Sequence, residues 1–277
     1  AELRDAYASI DKALEHCAVH HSADLDVRWI DTTDLDNGDV ATRVAEQLDG
    51  VDGVIVPGGF GVRGTEGKIA CVAHCRQHRL PYLGICLGFQ MAVIEYARHV
   101  CGLEGAGSTE FDRAATAAVI DILPEQKQIE GLGGNMRLGG KDVKIAPGTL
   151  AAFLFDDESG DAVAGEPFLV RRRFRHRYEV DPSFIDTIEA AGLIFSGRHP
   201  QQPIMQVLEL PPDVHPYFVG AQFHPELTSR PLRPSPLFMG LVAAALRHAH
   251  SELAAEDISR RWLPEAHDLA QGADRSH

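Results

Sequence analysis

The stretch RLPYLGICLGFQMAVIEYARH, residues 79–99, contains the pattern that decides the fold. A short apolar run ends at Ile85 and predicts a buried strand, and an apolar spacing typical of a helix begins near Gly88. Cys86 lies between the two segments. The stretch therefore predicts a strand, a tight turn and a helix, with a cysteine on the turn.

The pattern leaves two interpretations of Cys86 open. Free cysteine is among the most buried residue types, so Cys86 could be one more small apolar residue of the core. Alternatively, Gly84 and Gly88 make room for a strained turn that presents the sulfur as a nucleophile. The turn would lie at a helix N-terminus, which favours the thiolate. The motif G-x-C-x-G does not decide between the two by itself.

Strands and helices alternate through the first half of the chain. The predicted helices cover residues 7–21, 40–49, 65–79 and 88–100, and the predicted strands cover residues 24–31, 51–59 and 80–85. This alternation indicates βαβ units. We therefore expect an α/β fold with a mostly parallel central sheet that is flanked by helices.

The second half of the chain has a different character. Short strand-like pieces, among them DVKIAPG, PIMQVLEL and YFVGAQFHPE, are separated by Pro, Gly and Asp. They predict a smaller antiparallel sheet attached to the parallel core. A long helix is predicted over residues 237–255, and the polar tail over residues 264–277 is expected to fray. We expect one domain over residues 1–250, followed by a helical end and polar tail over residues 251–277.

The composition excludes several classes of partner. The net charge of −14 argues against nonspecific binding to nucleic acid and against docking to an anionic membrane. No apolar stretch approaches the roughly 20 residues that span a bilayer. The five cysteines are an odd, sparse set, and the first residues lack a signal-peptide pattern. We therefore expect a cytoplasmic protein.

Two motifs suggest other chemistry but do not meet its requirements. Cys71, Cys75 and His78 share one helical face, but no second cluster with zinc-ligand spacing follows, so we predict no metal site. The segment GVRGTEGKI resembles a phosphate loop. It does not match G-x-x-x-x-G-K-[ST], because Ile69 stands where Ser or Thr is required. We therefore expect no P-loop for ATP.

A thiol nucleophile needs a base, and the base needs an orienting group. His224 and Glu226 flank Pro225 after the strand-like run YFVGAQF. On an extended segment, residues i and i+2 point to the same side, and Pro225 disfavours helix at His224. We therefore predict that His224 and Glu226 face one cleft together with Cys86.

The glycines of VIVPGGFG, residues 54–61, follow another predicted strand. Backbone N–H groups in such a turn can approach a reacting carbonyl group without hindrance from a side chain. We expect the amides of Gly59 and Leu87 to form an oxyanion hole, which is worth about 3 kcal/mol per donor. A simple turn is the alternative interpretation of the two glycines.

Three motifs in this order, Pro57-Gly-Gly, Gly84-Ile-Cys-Leu-Gly and His224-Pro-Glu, resemble those of class I (triad) glutamine amidotransferases, which have a flavodoxin-like fold. The segments RGTEGKI, MRLG, RHRYEV and SRPLRPSPLF are more narrowly similar to the C-terminal glutaminase domain of the CTP synthase family. The resemblance covers roughly residues 2–248.

The resemblance implies a role for each matching residue. Cys86 would be the nucleophile, His224 the acid–base group and Glu226 its orienting group. Glu110 would receive the α-amino group of L-glutamine, and Arg177 would lie near its α-carboxylate. The remaining residues that would line the glutamine site are Gly59, Leu87, Gly88, Phe89 and Gln90.

The implied reaction is hydrolysis of glutamine to glutamate and ammonia through a γ-glutamyl thioester. In the family, the ammonia passes to a synthetase domain that converts UTP to CTP with ATP and Mg²⁺, and GTP activates the enzyme. No part of this chain resembles that domain, so we expect no cofactor here and a synthetase domain as partner, in cis or in trans. Full-length members are expected to assemble as homo-tetramers.

The chain departs from the family pattern in three places. The family has a strand ahead of LRDAYASI that is absent here, and its loss is expected to leave backbone groups unpaired near the site. Phe174 stands where the family usually has His, and Arg172 where it often has Glu. These two changes bear on coupling to a synthetase domain rather than on glutamine hydrolysis.

Two alternative functions stay open beside the glutaminase of a CTP synthase. One is a γ-glutamyl hydrolase of the same fold, against which MRLG, RHRYEV and RPLRPSPLF speak. The other is a non-catalytic glutamine-binding regulatory module, against which the intact Cys86, His224 and Glu226 speak.

Overall fold

The computed structural model describes residues 4–36, 38–122, 136–158, 160, 163, 165–250, 262–264 and 269. The helices in these ranges are α1 (Ala8–His21), α2 (Val40–Leu48), α3 (Thr65–His78), α4 (Leu87–His99), α5 (Leu150–Leu154), α6 (Ile185–Ala190) and α7 (Pro236–Ala249). The strands are β1 (Val54–Val56), β2 (Tyr82–Ile85), β3 (Ala106–Ser108), β4 (Ala117–Asp121), β5 (Arg137–Ile145), β6 (Phe168–His176), β7 (Glu179–Val180), β8 (Ile194–Arg198), β9 (Met205–Glu209) and β10 (Phe218–Ala221).

The strands form a large mixed sheet and a small one. The large sheet has the order β1-β2-β10-β9-β8-β5-β6, and the small sheet has the order β3-β4-β7. In the large sheet β1, β2 and β10 are parallel, and Gly84 of β2 lies opposite both Val56 and Gly220. Its other neighbouring strands are antiparallel.

The predicted α/β class, the flanked central sheet and the smaller second sheet are confirmed, but the strands are distributed differently from the expectation. β5, β6, β8 and β9 extend the central sheet instead of forming a separate one, so most of its pairings are antiparallel. Chain connectivity explains the difference. Residues 199–204 join β8 to β9, which is too short for the crossover that parallel neighbours require.

The strand predicted at residues 24–31 is wrong. These residues form no strand, and they line one wall of a cavity of about 1050 Å³. Residues 50–60, which include β1, lie on another wall of the same cavity. A strand needs a neighbour for its backbone N–H and C=O groups, and here the space beside the segment is open.

α4 lies between the two sheets and is buried on all sides. Residues 87–97 are all buried, and the helix contacts β2 and β10 of the large sheet as well as β3, β4 and β7 of the small one. A helix that is apolar all round belongs in the interior of a protein. The N-terminus of α4 is therefore fixed with respect to both sheets.

The four helices predicted in the first half are confirmed, with ends within two residues of the prediction. α7 confirms the start of the helix predicted over residues 237–255, but the helix ends at Ala249 and His250 is not helical. The predicted continuation beyond residue 250, and most of the predicted tail over residues 264–277, lie outside the described residues. In the described ranges, every helix is too short or too polar to span a membrane.

Substitution of Gly88 tests how closely α4 approaches β1. A Cβ on Gly88 would clash with the carbonyl group of Val56, and backbone atoms cannot move aside as a flexible side chain can. We expect Gly88→Ala to lower the free energy of unfolding by about 1–3 kcal/mol, the usual cost of overpacking a core. The measurement is urea unfolding followed by circular dichroism.

Gly107→Ala is the matched control for this prediction. Gly107 lies in the buried strand β3, but its Cβ would meet Ala115 at 3.5 Å, an ordinary contact. We expect its free energy of unfolding to change by less than about 0.5 kcal/mol. Equal losses in the two variants would contradict the close approach of α4 and β1.

Candidate active site

Cys86 lies between the end of β2 and the start of α4, with φ 52° and ψ −95°. A residue with a side chain takes such a conformation only when the surrounding structure imposes it. The Cys86 N–H donates a hydrogen bond to the Ala221 carbonyl group at 2.7 Å, which holds the turn. A cysteine that only fills the core needs no strained backbone, so the geometry favours the nucleophile interpretation although Cys86 is only 3% exposed.

The glycines around Cys86 leave the space that the turn requires. A Cβ on Gly84 would lie 2.6 Å from the Tyr82 hydroxyl oxygen and 2.7 Å from the Gly88 carbonyl oxygen. The Tyr82 hydroxyl group donates to that same carbonyl group at 2.8 Å. Gly84 therefore allows Tyr82 to hold the first turn of α4 in place.

His224 and Glu226 follow β10 and are in contact. His224 Nδ1 and Glu226 Oε1 are 2.7 Å apart, and both side chains are largely buried. The pair does not lie on an extended segment as predicted, because Pro225 begins the 3₁₀ turn Pro225–Thr228. The His224 N–H donates to the Arg173 carbonyl group of β6 at 2.9 Å, which anchors the backbone before that turn.

The electrostatic surroundings of His224 favour the imidazolium. Burial lowers the pKa of His224, but its interactions with Cys86 and with the Glu226 carboxylate outweigh burial and raise the pKa to about 10. The ring is therefore charged at neutral pH. Glu226 also fixes which way the ring faces.

Gly58 lies where the side chains of Cys86 and His224 face each other. A Cβ on Gly58 would be 2.9 Å from His224 Cε1 and 3.5 Å from Cys86 Cβ. The absence of a side chain at this position lets the imidazole ring approach the sulfur. The sequence analysis assigned a role only to Gly59. The pair of glycines after a strand also indicates a place where a neighbouring side chain can approach the backbone, which is the role of Gly58.

Gly59 and Leu87 are brought together as predicted for an oxyanion hole. A Cβ on Gly59 would lie 3.3 Å from Leu87 Cδ2. Leu87 is the first residue of α4, and amides in the first turn of a helix have no acceptor within the helix. The arrangement offers two backbone donors beside the turn that carries Cys86. Their function as an oxyanion hole stays a prediction.

Glu110 and Arg177 lie two residues from strands of the small sheet, and the charge of Arg177 acts on Glu110. Glu110 follows β3 and accepts a hydrogen bond from the Gly61 N–H at 3.1 Å, next to the Gly59 turn. Burial raises the pKa of Glu110, and the Gly61 hydrogen bond and the charge of Arg177 oppose that rise. Arg177 precedes β7. The Glu110 carboxylate therefore lies beside the turn that holds Gly59, within reach of the charge of Arg177.

Three residues of α4 that were predicted to line the site contribute in different ways. Gly88 supplies space at the turn. The Phe89 side chain is fully buried against β10, so any contribution of Phe89 to a ligand site comes from its backbone. The Gln90 amide nitrogen donates to the Tyr178 carbonyl group and to Gln222 Oε1, both at 3.1 Å. Gln90 thus holds the surrounding structure, and its part in the site stays a prediction.

Phe174 and Arg172, the two departures from the family pattern, have structural contacts behind the site. Phe174 packs edge-on against Phe223, the residue before His224, with ring centres 5.8 Å apart. The Arg172 guanidinium group lies 4.4 Å from the centre of the Phe155 ring and donates to Glu158 at 2.8 Å. Nothing in these contacts tests coupling to a further domain.

The cysteines that suggested a metal site belong to the core. Cys71 and Cys75 of α3 are buried, and burial raises the pKa of the Cys71 thiol to about 11. Within the described ranges, no group of three or more His, Cys, Asp and Glu side chains is arranged to hold a metal ion.

Comparison with known proteins agrees with the fold. Residues 2–244 match the family model for class I glutamine amidotransferases. The CTP synthase of Natronomonas pharaonis is 50% identical over 88% of this chain and 41% of its own length. The corresponding values for the CTP synthase of Thermococcus kodakarensis are 47%, 88% and 43%. The chain therefore spans less than half the length of these curated relatives.

A solved structure is similar over nearly the whole of both chains. The glutaminase domain of Trypanosoma brucei CTPS with bound acivicin superposes with a TM-score of 0.78 and 34% identity, over 88% of this chain and 89% of that one. The chain belongs to the class I glutamine amidotransferase family. Within that family, it is a glutaminase domain of the CTP synthase type.

The pKa of His224 can be measured directly by NMR of the imidazole ring. We expect a pKa near 10 in the unmodified chain and a lower pKa in Cys86→Ala, because one of the two partners that favour the imidazolium is lost. A pKa above the ordinary value of about 6.5 means that this residue stabilises the fold fully below pH ~6.5. That contribution is lost as the pH rises toward 10.

His215 is the internal control in the same spectra. It is buried without a carboxylate partner in the described structure, and burial lowers its pKa to about 4. We expect the pKa of His215 to be the same in the unmodified chain and in Cys86→Ala. A pKa near 6.5 for His224 in both proteins would contradict its pairing with Cys86.

Proposed function

We propose that this chain hydrolyses L-glutamine to glutamate and ammonia through a thioester on Cys86. The observation that carries the proposal is the strained turn at Cys86 beside the His224–Glu226 pair. A thiol on a strand-to-helix turn, a histidine beside it and a carboxylate that orients the histidine are the components of nucleophilic acyl transfer. The similarity to the T. brucei glutaminase domain with bound acivicin supports the same assignment.

The reaction proceeds in two halves. The Cys86 thiolate attacks the carboxamide carbon, and the amides of Gly59 and Leu87 stabilise the oxyanion. The imidazolium of His224 gives its proton to the departing nitrogen, so that ammonia leaves and a γ-glutamyl thioester remains. His224 then takes a proton from water, which attacks the thioester and releases glutamate and the Cys86 thiolate.

Glu110 and Arg177 bind the two charged groups of the substrate. The Glu110 carboxylate receives the α-amino group, and the Arg177 guanidinium group binds the α-carboxylate, for which its planar donors are well suited. The opposite charges of the two residues and their nearness support this part of the proposal. Gly88, Phe89 and Gln90 line the site through the first turn of α4.

The ammonia serves a second reaction in the longer protein. We propose that a synthetase domain, in cis or in trans, uses it for the ATP-dependent amination of UTP to CTP. ATP, Mg²⁺ and the activator GTP bind with that domain, and the reaction at Cys86 itself needs no cofactor. The whole enzyme is a cytoplasmic homo-tetramer. The curated relatives, CTP synthases of which this chain matches 41% to 44%, support the synthetase reaction in a longer protein.

We also propose that polypeptide outside this sequence contributes a strand to the large sheet. The cavity of about 1050 Å³ separates residues 24–31 from β1, and among the described strands β1 pairs with β2 alone. The Val54 N–H bonds to the Pro81 carbonyl group, so by alternation the Ile55 N–H points toward the opposite edge of the sheet. A strand in the cavity would pair with that edge.

Hydrogen exchange at Ile55 tests the added strand. We expect the Ile55 amide to exchange at least about 100-fold more slowly in the longer protein than in this chain, because a new hydrogen bond protects it. The Val54 amide, which is bonded to Pro81 in both cases, is the control. Equal exchange at Ile55 in the two proteins would contradict the proposal.

Labelling of Cys86 by a diazoketone isostere of glutamine tests the hydrolytic function. We expect one adduct by intact mass, blocked by excess glutamine and absent in Cys86→Ala. The matched control is Cys101→Ala, which removes a more exposed thiol and is expected to leave labelling unchanged. Ammonia release from glutamine is measured beside it and is expected to fall at least about 10⁴-fold in Cys86→Ala.

The same experiment separates the alternatives. Turnover of γ-glutamyl peptides at the rate of glutamine would favour a γ-glutamyl hydrolase. Protection by glutamine without ammonia release, even when a synthetase domain is supplied, would favour a regulatory module. A folded chain that takes no adduct, with or without that domain, would contradict the role of Cys86.

A further inference from the structure

The chain crosses from the large sheet to the small sheet at residues 176–179. β6 ends at His176 and belongs to the large sheet, and β7 begins at Glu179 and belongs to the small one. The two residues between them are Arg177 and Tyr178. The position of Arg177 therefore depends on how this crossing is held.

A buried cluster of charged and polar side chains closes the crossing. His176 Nε2 and Glu179 Oε1 are 2.9 Å apart, and both side chains are almost completely buried. Arg137 Nε of β5 lies 3.3 Å from the same Glu179 oxygen, and Arg137 is the cross-strand neighbour of His176. A carboxylate with no exposed surface is tolerated only with such partners.

A second contact holds the middle of the crossing. The Gln90 amide nitrogen of α4 donates to the Tyr178 carbonyl group at 3.1 Å. α4 also begins directly after Cys86, so this hydrogen bond relates the crossing to the turn that carries the nucleophile. The crossing is thus fixed at both ends by His176 and Glu179 and in the middle by Gln90.

We propose that Glu179 is a positioning residue for substrate recognition, which through His176 and Arg137 fixes the backbone that carries Arg177. The inference rests on the proposed glutaminase function, in which Arg177 binds the α-carboxylate. Glu179 touches neither the substrate nor the reacting atoms. Its carboxylate holds the backbone on the far side of Arg177, and it does so from a position that solvent does not reach.

The test is Glu179→Gln, which keeps the size of the side chain and removes its charge. The variant loses the attraction to Arg137 and weakens the bond to His176, so Arg177 is no longer held in one place. Cys86, His224 and Glu226 are unchanged. We expect KM for glutamine to rise about tenfold or more while kcat falls less than about threefold, as befits a residue that acts in binding.

The matched control is Asp142→Asn on the same β5–β6 hairpin. Asp142 pairs with Arg171 at 3.0 Å, but both side chains are exposed. We expect KM and kcat to stay within about twofold of the unmodified chain, because exposed ion pairs contribute little.

Should Glu179→Gln fail to fold, Arg137→Gln removes one partner and leaves the His176–Glu179 contact. Its KM is expected to rise about threefold or more with kcat retained.

Labelling distinguishes failure of this inference from failure of the proposed function. Chloroacetamide needs no α-carboxylate, so its rate with Cys86 is expected to be the same in Glu179→Gln and the unmodified chain. The diazoketone isostere of glutamine is expected to need about tenfold higher concentration for half-maximal labelling in the variant.

Three results would contradict either the proposed glutaminase function or the role of Glu179. If glutamine does not protect Cys86 in the unmodified chain, the proposed function fails. If glutamine protects it and both proteins have the same half-maximal concentration, the role of Glu179 is contradicted. An equal loss of reactivity toward both reagents would show that Glu179 only stabilises the fold, which also contradicts the inference.

Discussion

The backbone of Cys86 takes a conformation that residues with side chains avoid, and much of the surrounding structure serves to hold it there. The Cys86 N–H is tied to Ala221 of β10, and Tyr82 ties the first turn of α4 to the end of β2. The absence of a side chain at Gly84 makes the Tyr82 contact possible, and its absence at Gly88 lets α4 approach the Val56 carbonyl group. Because β10 also leads into His224, one strand sets the positions of the nucleophile and of its base.

The two sheets carry different residues of the candidate site. The large sheet carries Cys86 and His224 at the ends of β2 and β10, which are neighbouring parallel strands. The small sheet carries Glu110 and Arg177, which flank β3 and β7 on either side of β4. α4 contacts both sheets. Its burial between them therefore fixes the position of Cys86 and His224 relative to Glu110 and Arg177.

Local patterns in the sequence predicted the parts of the site that depend on local structure. The spacing of glycines around Cys86 and the segment His224-Pro-Glu were sufficient for the turn and for the pair that follows β10. Glu110 and Arg177 came from the resemblance alone, because a charged residue outside a regular pattern looks like ordinary surface. The error at residues 24–31 has a similar cause, since an apolar, alternating segment becomes a strand only when another strand lies beside it.

Pairing between distant strands was the other feature that local reasoning missed. Nothing near β5 or β6 indicates that they join the large sheet, yet β5 pairs with β8, and its pairing with β6 brings Arg137 next to His176 and so next to Glu179. The same placement lets the Arg173 carbonyl group receive the His224 N–H. The β5–β6 edge of the large sheet therefore contacts the His224 backbone through Arg173 and the residues on either side of Arg177 through Arg137. If Glu179 positions Arg177 as proposed, a change at Arg137 alters substrate recognition without touching Cys86.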